Sequence, residues 1–549
     1  MDARAVEIIK QGDKLFERSS LMSLWQAIAE NFYPIRADFT TRIHPGDDLT
    51  DHLSTSFPIL AHRDMANAFA SMLRQRGKQW ADIRTGREDL DQGAPREWLE
   101  WATKLQFRAM YDRAAQFVRA TKEGDHDFAG FGQAVIYVDT NRAGDTLLYR
   151  NHHLRDVAWA ENAEGVIDTV HRKWKPTARD MVFDFGGKVH KSVKNEVESA
   201  KGDSFRKFEV RHAMVPTERV GDVPAAEREF PWRSYFIDVE NQHVIEDVPS
   251  RLLKYVIPRW QTISGSPYAY SPAAIAALPD ARMIQAMSYS LLDATEKAVQ
   301  PPMVGQAHMI KSDLELWSGG MTWVDAEYDE RLGEAMRPIE LDFRGLPAGV
   351  QAAQAAQEMI KEAFYLNKLS LPPADREMTA FETSQRIQEY IRQALPLFEP
   401  MEVEYNGQLM EMTFNTLMQG NAFSGREMPQ ELSRASVEFK FTSPLQQNEE
   451  RKDAQTYVET SQLLAEAAAI DPGLGDMLKG RDALRDALKG VGAPETWLND
   501  DDEMDEIAAR RAEAAQLAQL ADTVERGAQV AEQVGRAGAA LGMQGEANA

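Results

Sequence analysis

The chain contains no cysteine in 549 residues. Disulfides and cysteine-ligated zinc are thereby excluded, and a reducing compartment is permitted. No run of about 18 apolar residues occurs, so nothing reads as an ordinary membrane-spanning helix. The opening segment, MDARAVEIIKQGDKLFERSS, is amphipathic with both charge signs and has no apolar core of signal-peptide type. Basic residues are outnumbered: 62 Lys and Arg face 86 Asp and Glu, a formal charge of −24. Tight nucleic-acid binding draws on a basic stripe that neutralises phosphates. The acidic balance argues against a tight binder, yet it is compatible with a surface that DNA slides past.

Catalytic signatures are equally sparse. Gly130-Phe131-Gly132 has neither the third glycine of a dinucleotide loop nor a Walker lysine. A tight turn before a strand accounts for both glycines. His152 and His153 are adjacent rather than four apart, so they do not share a helix face. Together with His171 and His190 they permit a metal site, but satisfied or exposed histidines are the favoured reading. Asp500-Asp501-Asp502-Glu503 lacks the central glycine of a calcium loop and reads as a solvated linker. It also places negative charge near the N-terminus of the last helix, which the helix dipole favours. The pairs Asp313 and Glu315, Asp325 and Glu327, and Asp329 and Glu330 arise readily in an acidic chain and need no acid–base role. No nucleophile elbow is present. We expect no catalytic residue, no metal ligand set and no cofactor.

What the chain does have is core-forming sequence. Hydrophobic residues make up 43%, enough for about two to four domains. Periodicity predicts one helix over residues 1–35, stopped at Tyr33-Pro34, then a polar loop over 36–53. Helices follow over Ser56–Gln75 and Pro95–Thr121, the second with Trp98 and Trp101 on a core face. From Gly130 the pattern turns to strands: 134–139, 146–150, 166–175, 206–214, 230–238, 243–247 and 255–260, with a short helix over 178–183. The class is α+β, predominantly helical, with a mostly antiparallel sheet.

The stretch from Pro267 to Phe423 is different. A helix opens at Ser271-Pro272, carries Ile275, Leu278, Ile284, Met287, Leu291 and Leu292, and stops at Gln300-Pro301-Pro302. An insert from Met303 to Leu341 follows, in which Trp317 and Trp323 flank a hairpin-like Ser318-Gly319-Gly320-Met321 turn. Those tryptophans serve either to hold the hairpin or to form an interface, where aromatics are enriched. A second helix runs from Pro347 to Asn367, then the loop LSLPPADREMT, then a third helix with Phe381, Ile387, Tyr390, Ile391 and Leu395. Two helices that carry an insert away from a body read as mechanical rather than chemical. Further on, 400–419 is helical, 435–441 is a strand, 449–469 is helical and 472–498 holds one or two short helices. A final helix, Ile507 to about Leu541, has a narrow seam of small and branched residues: Leu517, Leu520, Val524, Gly527, Ala531, Val534, Gly538 and Leu541. Such a helix makes no stable core alone and wants neighbours of its own kind.

Several landmarks recur in a fixed order over most of the chain. They are Trp25 with Asn31-Phe32-Tyr33-Pro34, Thr55-Ser56 before the Ala/Met-rich helix ending at Leu73, and Gly265-Ser266-Pro267 before Ser271-Pro272. Then come Asp280, Lys297 and Gln300-Pro301-Pro302-Met303, the Pro372-Pro373 loop, and Met378-Thr379-Ala380-Phe381-Glu382-Thr383 with Arg386. On these residues the chain resembles the portal proteins, the head-to-tail connectors of short-tailed double-stranded DNA bacteriophages. The resemblance implies a portal fold that assembles into a ring, usually of twelve copies, at one capsid vertex of the virion. DNA would enter through the ring during packaging and leave through it during infection.

On that likeness residues 1–265 form the wing, 266–303 and 346–368 the two stem helices, and 304–345 the clip. Residues 369–379 are the tunnel loop, 380–444 the long helix and return to the wing, 445–500 the crown, and 501–549 the C-terminal barrel helix and tail. Ser370, Leu371, Pro372, Pro373, Asp375, Arg376, Glu377 and Met378 would face DNA. Trp317, Trp323, Asp325 and Glu327 would mark the clip docking surface for terminase and tail adaptor. Leu517, Leu520, Val524, Ala531, Val534 and Leu541 would form the barrel seam, and 35 residues of helix make about 50 Å. Other implied partners are double-stranded DNA, held weakly and without sequence preference, and the major capsid and scaffolding proteins. No membrane is implied, and assembly is expected in the host cytoplasm. The competing reading is an oligomeric scaffold or adaptor without a channel, assembled through its last helix.

Overall fold

Residues 1–35 form two helices rather than the single one expected, α1 (Ala3–Phe16) and α2 (Ser19–Phe32). The break falls at Arg18, whose buried guanidinium is needed elsewhere. Its Nη2 donates to the carbonyls of Leu154 and Val157, both at 2.7 Å, and Nη1 to the Tyr268 hydroxyl at 3.0 Å. The computed structural model describes residues 2–87, 90–91, 93–221, 223–305, 336–339, 344–369, 401–434, 437–441, 454, 456–466, 479–491, 493, 497–498 and 503–517.

By compactness the chain divides into two units: Met1–Ile83, Ala102–Glu427 and Glu438–Asn448 form one, and Arg84–Trp101, Met428–Val437 and Glu449–Ala549 the other. In the first, α2 ends where expected, with Tyr33 as its cap and Pro34 opening a 3-10 turn. Helix α3 (Phe57–Leu73) follows the polar loop. The helix expected over 95–121 is also two, α4 (Gly93–Met110), whose residues up to Trp101 belong to the second unit, and α5 (Phe117–Phe131). Gln116 lies between them at φ 59°, a left-handed turn that no helix tolerates internally. Gly132 then ends α5 at φ 74°. A Cβ there would collide with the Tyr270 backbone, so the position demands glycine twice over.

The antiparallel sheets come next, after the short strand β1 (Ala81–Arg84). The strands are β2 (Ile136–Thr140), β3 (Leu147–Asn151), β4 (Val157–Glu161), β5 (Ile167–Trp174), β6 (Val210–Pro216), β7 (Trp232–Asp238), β8 (His243–Ser250) and β9 (Tyr255–Val256). A three-stranded sheet has the order β3-β2-β9, and a five-stranded meander the order β4-β5-β6-β7-β8. Strand β4 is not legible as alternation, because Val157, Ala158 and Trp159 are all buried. Helices α6 (Ala178–Phe185) and α7 (Lys191–Glu198) cover one face of the meander through Met181, Val193, Phe208 and Val210. The other face lies under α1, where Ala5 and Ile8 meet Ala213, Val215, Tyr235 and Ile237. Two short pairs follow: β10 (Gln261–Thr262) with β11 (Ala269–Tyr270), and β12 (Met303–Gly305) with β13 (Met336–Pro338).

The remaining helices of this unit are α8 (Pro272–Val299), α9 (Leu346–Ala363), α10 (Leu366–Leu369) and α11 (Gln408–Gln419), the last preceded by a π-helix over Met401–Gly407. The strand β14 (Glu438–Phe441) falls inside the expected 435–441. The second unit holds α12 (Gly480–Val491) and helical segments over 456–466 and 503–517. Arg481 there pairs with Asp505 at 2.8 Å. The expected boundary at Ile507 therefore moves forward, since the helix already includes the acidic residues from 503 on.

Candidate functional site

Ser271 starts the central feature. Its hydroxyl donates to the Ala129 carbonyl at 2.6 Å and accepts from the Ala274 N–H, capping α8 and tying it to α5. Pro272 occupies the first helical turn, where a missing N–H costs nothing. Twenty-eight residues make α8 about 42 Å long. It closes at Gln300, as expected from Pro301-Pro302. After it β12 pairs antiparallel with β13, Val304 opposite Arg337, and the chain returns as α9 against α8. The two helices approach closely: a Cβ on Gly349 would stand 3.1 Å from Leu291 Cδ2.

Burial is uneven along this hairpin. Ala273, Ala274, Ala277, Leu278, Ala281 and Ile284 are buried, all in the first half of α8. Its second half exposes Tyr289 by 71%, Leu292 by 61% and Val299 by 74%. Helix α9 buries Ala353, Ala356 and Ile360 at helical spacing and exposes Val350 and Met359. Ile275, among the apolar residues the helix carries, is also exposed. The paired helices thus carry more apolar surface than one chain covers.

The root of the hairpin is held by specific contacts. Gln285 Oε1 accepts from the N–H groups of Ser54 and Thr55 at 2.7 and 2.9 Å, and Nε2 donates back to the Thr55 carbonyl. Phe364, fully buried, packs on Phe32 at 5.2 Å between ring centres. The second helix then breaks, contrary to the single helix expected: Tyr365 takes φ 56° before α10. His62 lies beside Phe364, Tyr33 and His126 and meets the His126 carbonyl at 2.9 Å. Burial holds its imidazole down at about 3, so it is neutral in the fold.

Below the π-helix lies a buried ionic network. Arg74 pairs with Asp125 and donates to Asn406 Oδ1 at 2.7 Å. Its guanidinium sits 4.8 Å from the centre of the Tyr405 ring. Burial pushes the Asp125 carboxyl up, and the Arg74 charge opposes this. Gly124 is required here, since a Cβ would come within 2.5 Å of the Tyr405 hydroxyl. A seven-residue π-helix is rare, and here Arg74 and Asp125 tie it to α3 and α5. Sequence reading missed Arg74, Asp125, Asn406 and Gln285. The available signal was charge on an apolar face: Asp125 and Asp127 flank a helix stripe with Phe128 and Phe131.

Most residues singled out from sequence lie outside the described residues. These are Ser370, Leu371, Pro372, Pro373, Asp375, Arg376, Glu377 and Met378, then Trp317, Trp323, Asp325 and Glu327, then Leu520, Val524, Ala531, Val534 and Leu541. Leu517 is described: it is helical and 68% exposed. The four histidines considered for a metal are apart in role. His190 caps α7, His153 contacts Asp38 at 2.5 Å, and His152 and His171 are buried. Among the described residues no group of three or more His, Cys, Asp or Glu is placed to hold a metal ion. No described helix is long and apolar enough to cross a membrane.

Comparison with known proteins adds sequence matches along the chain. The family model described as bacteriophage head to tail connecting protein matches residues 7–498. A probable portal protein of Bordetella phage BPP-1 is 24% identical over 97% of this chain and 95% of its own length. The portal protein of Salmonella phage epsilon15 is 20% identical over 91% of this chain and 90% of its own. Among solved structures, a chain from the virion of a native gene transfer agent particle aligns with TM-score 0.33 and 12% identity, covering 76% of this chain and 87% of that one. A chain from the neck of an empty particle of the same kind aligns with TM-score 0.33 and 10% identity, covering 74% of this chain and 86% of that one.

Proposed function

The chain belongs to the bacteriophage head-to-tail connecting protein family, and from that premise we propose that it is a structural subunit of a ring-shaped portal at one capsid vertex. The observation that carries the proposal is the α8–α9 hairpin. Its root is anchored by Ser271, Gln285 and Phe364, while Tyr289, Leu292, Val299 and Met359 stand exposed along its length. Apolar side chains on one subunit's paired helices are covered when copies stand side by side around an axis.

In this reading α8 and α9 are the stem, and residues 304–345 are the clip that docks terminase and later the tail adaptor. Residues 369–379 face the DNA in the bore, with Arg376 as the single basic contact between Asp375 and Glu377. One cation per subunit touches the phosphates weakly, which suits a duplex that must move. The −24 charge of each copy adds a wall that repels DNA and lowers sliding friction. A continuous basic channel in the assembled ring would remove that part of the account. Residues 445–500 form the crown and 501–549 a barrel of parallel C-terminal helices. Mass measurement by light scattering on the purified chain tests the reading. A particle near twelve copies agrees with it; compact dimers or trimers agree instead with a scaffold or adaptor that has no channel.

A further inference from the structure

The two sheets meet in a polar cluster that no step of the portal account uses. Tyr137 is the direct cross-strand partner of both Arg150 and Tyr255, so the three side chains share one face of the three-stranded sheet. His152, two residues beyond Arg150, continues that face. On the five-stranded sheet Arg172 stands opposite His212, and His212 opposite Phe236. The faces join where His212 Nδ1 lies 2.7 Å from the Tyr255 hydroxyl. Ring centres of Tyr137 and His152 are 6.0 Å apart, and those of His152 and Tyr255 6.3 Å.

Accounting for the polar groups leaves a remainder. Tyr137 donates to Asp139 at 2.5 Å, and Lys254 donates to the same carboxylate at 2.9 Å. His212 is satisfied by Tyr255 and, at 2.9 Å, by Ser234. His152 Nε2 is buried with no hydrogen-bond partner. Arg172 stacks on Trp174 at 4.5 Å and approaches the Tyr255 hydroxyl, but neither it nor Arg150 is among the ion pairs of the described residues. The neighbouring arginines Arg36, Arg155, Arg219, Arg233 and Arg259 each bind a carboxylate. Asp156 acts on Arg172 electrostatically, but its own oxygens are engaged by Arg155 at 3.0 and 3.3 Å. Arg150 and Arg172 lie close enough to act on each other electrostatically, with no ion-paired carboxylate on either among the described residues. Burial depresses the His152 imidazole well below its usual value, and Arg172 and Arg150 add to that, so both positive fields reach the ring.

We propose that Arg150, Arg172 and His152 form a binding site for a tetrahedral oxyanion of the phosphate class. Guanidinium groups present N–H forks that match phosphate oxygens and accept nothing in return. The floor of the site, His152 and Tyr255, is buried, which strengthens such hydrogen bonds. Arg150 is exposed, so the cluster reaches solvent on that side. All of its residues come from one chain.

Calorimetric titration of inorganic phosphate into the purified full-length chain, at constant ionic strength, tests this. Saturable binding of one phosphate per chain is expected, with sulfate competing and chloride not. Arg172→Gln is expected to weaken binding at least tenfold, equivalent to about 1.4 kcal/mol. Arg150→Gln, at an exposed position that does not threaten folding, is expected to weaken it as well. A short DNA duplex added as competitor identifies the source of the phosphoryl group: displacement assigns it to nucleic acid, and no displacement to the free anion. Absence of saturable phosphate binding, or unchanged affinity in both variants, overturns the site.

Discussion

Arg74 is the residue whose loss is expected to be felt most. Removing it leaves Asp125 buried without its partner and Asn406 without its donor. Breaking a buried pair from one side costs about 3–5 kcal/mol, whereas replacing both partners by apolar groups is often close to neutral. Arg74→Ala should therefore lower the unfolding midpoint sharply, and the double variant Arg74→Leu with Asp125→Leu should recover most of it. Denaturant melts of the three proteins check this, and equal losses in the single and double variants would refute it. His62 gives a second prediction, with its sign fixed by burial. The folded imidazole titrates near 3 and the unfolded one near 6.5, so below 6.5 the unfolded chain takes up a proton that the fold refuses. Stability is fully present above 6.5 and is lost as pH falls toward 3. The share of one such histidine is about 1.4 kcal/mol per pH unit in that window. His62→Gln should flatten the dependence by that slope, measured as unfolding free energy between about pH 7 and pH 5. An unchanged slope would mean that other groups carry all of it. These residues were not legible in the sequence. Arg74 sits at the end of a helix and Asp125 in the middle of another, and only the fold brings them to Asn406, more than 250 positions away.

At the scale of elements, punctuation residues were readable and internal breaks were not. Ser271-Pro272 and Gln300-Pro301-Pro302 mark the ends of α8, because proline fixes φ and removes a donor. The break at Arg18 has no such mark; arginine suits a helix, and it leaves one here only to reach Leu154 and Val157. Helix α7 was missed because KSVKNEVE is only eight residues long, and its apolar face is just Val193 and Val197. The exposed side chains of the hairpin yield a third prediction. Leu292→Asp and Met359→Asp should leave the circular dichroism of the chain unchanged and reduce assembly, read as a shift from large particles to monomer in size-exclusion chromatography with light scattering. Loss of helical signal in either variant would show instead that these side chains support the chain's own fold. The loop and the last helix supply a fourth. Deleting residues 369–379 should spare assembly and impair genome packaging or retention, and truncation after Asp505 should also spare assembly. A truncated chain that stays monomeric would move the main subunit contacts into the last helix.

For the whole molecule, the sequence conveyed the class and order of elements better than their function. Antiparallel pairing and a helical majority follow from local pattern, and the structure has them. The family follows from landmarks spread along the chain, and the match over residues 7–498 establishes it. The proposed working surfaces were less legible because, on the proposed reading, several copies build them together. Leu292 and Leu517 are exposed on the chain, so what they do depends on what covers them. The most direct test of the central claim is the rotational symmetry of the purified particle by electron microscopy. The account predicts a closed ring of twelve subunits around a central hole, with the α8–α9 hairpins arranged about the axis. Compact dimers or trimers without a hole would contradict it.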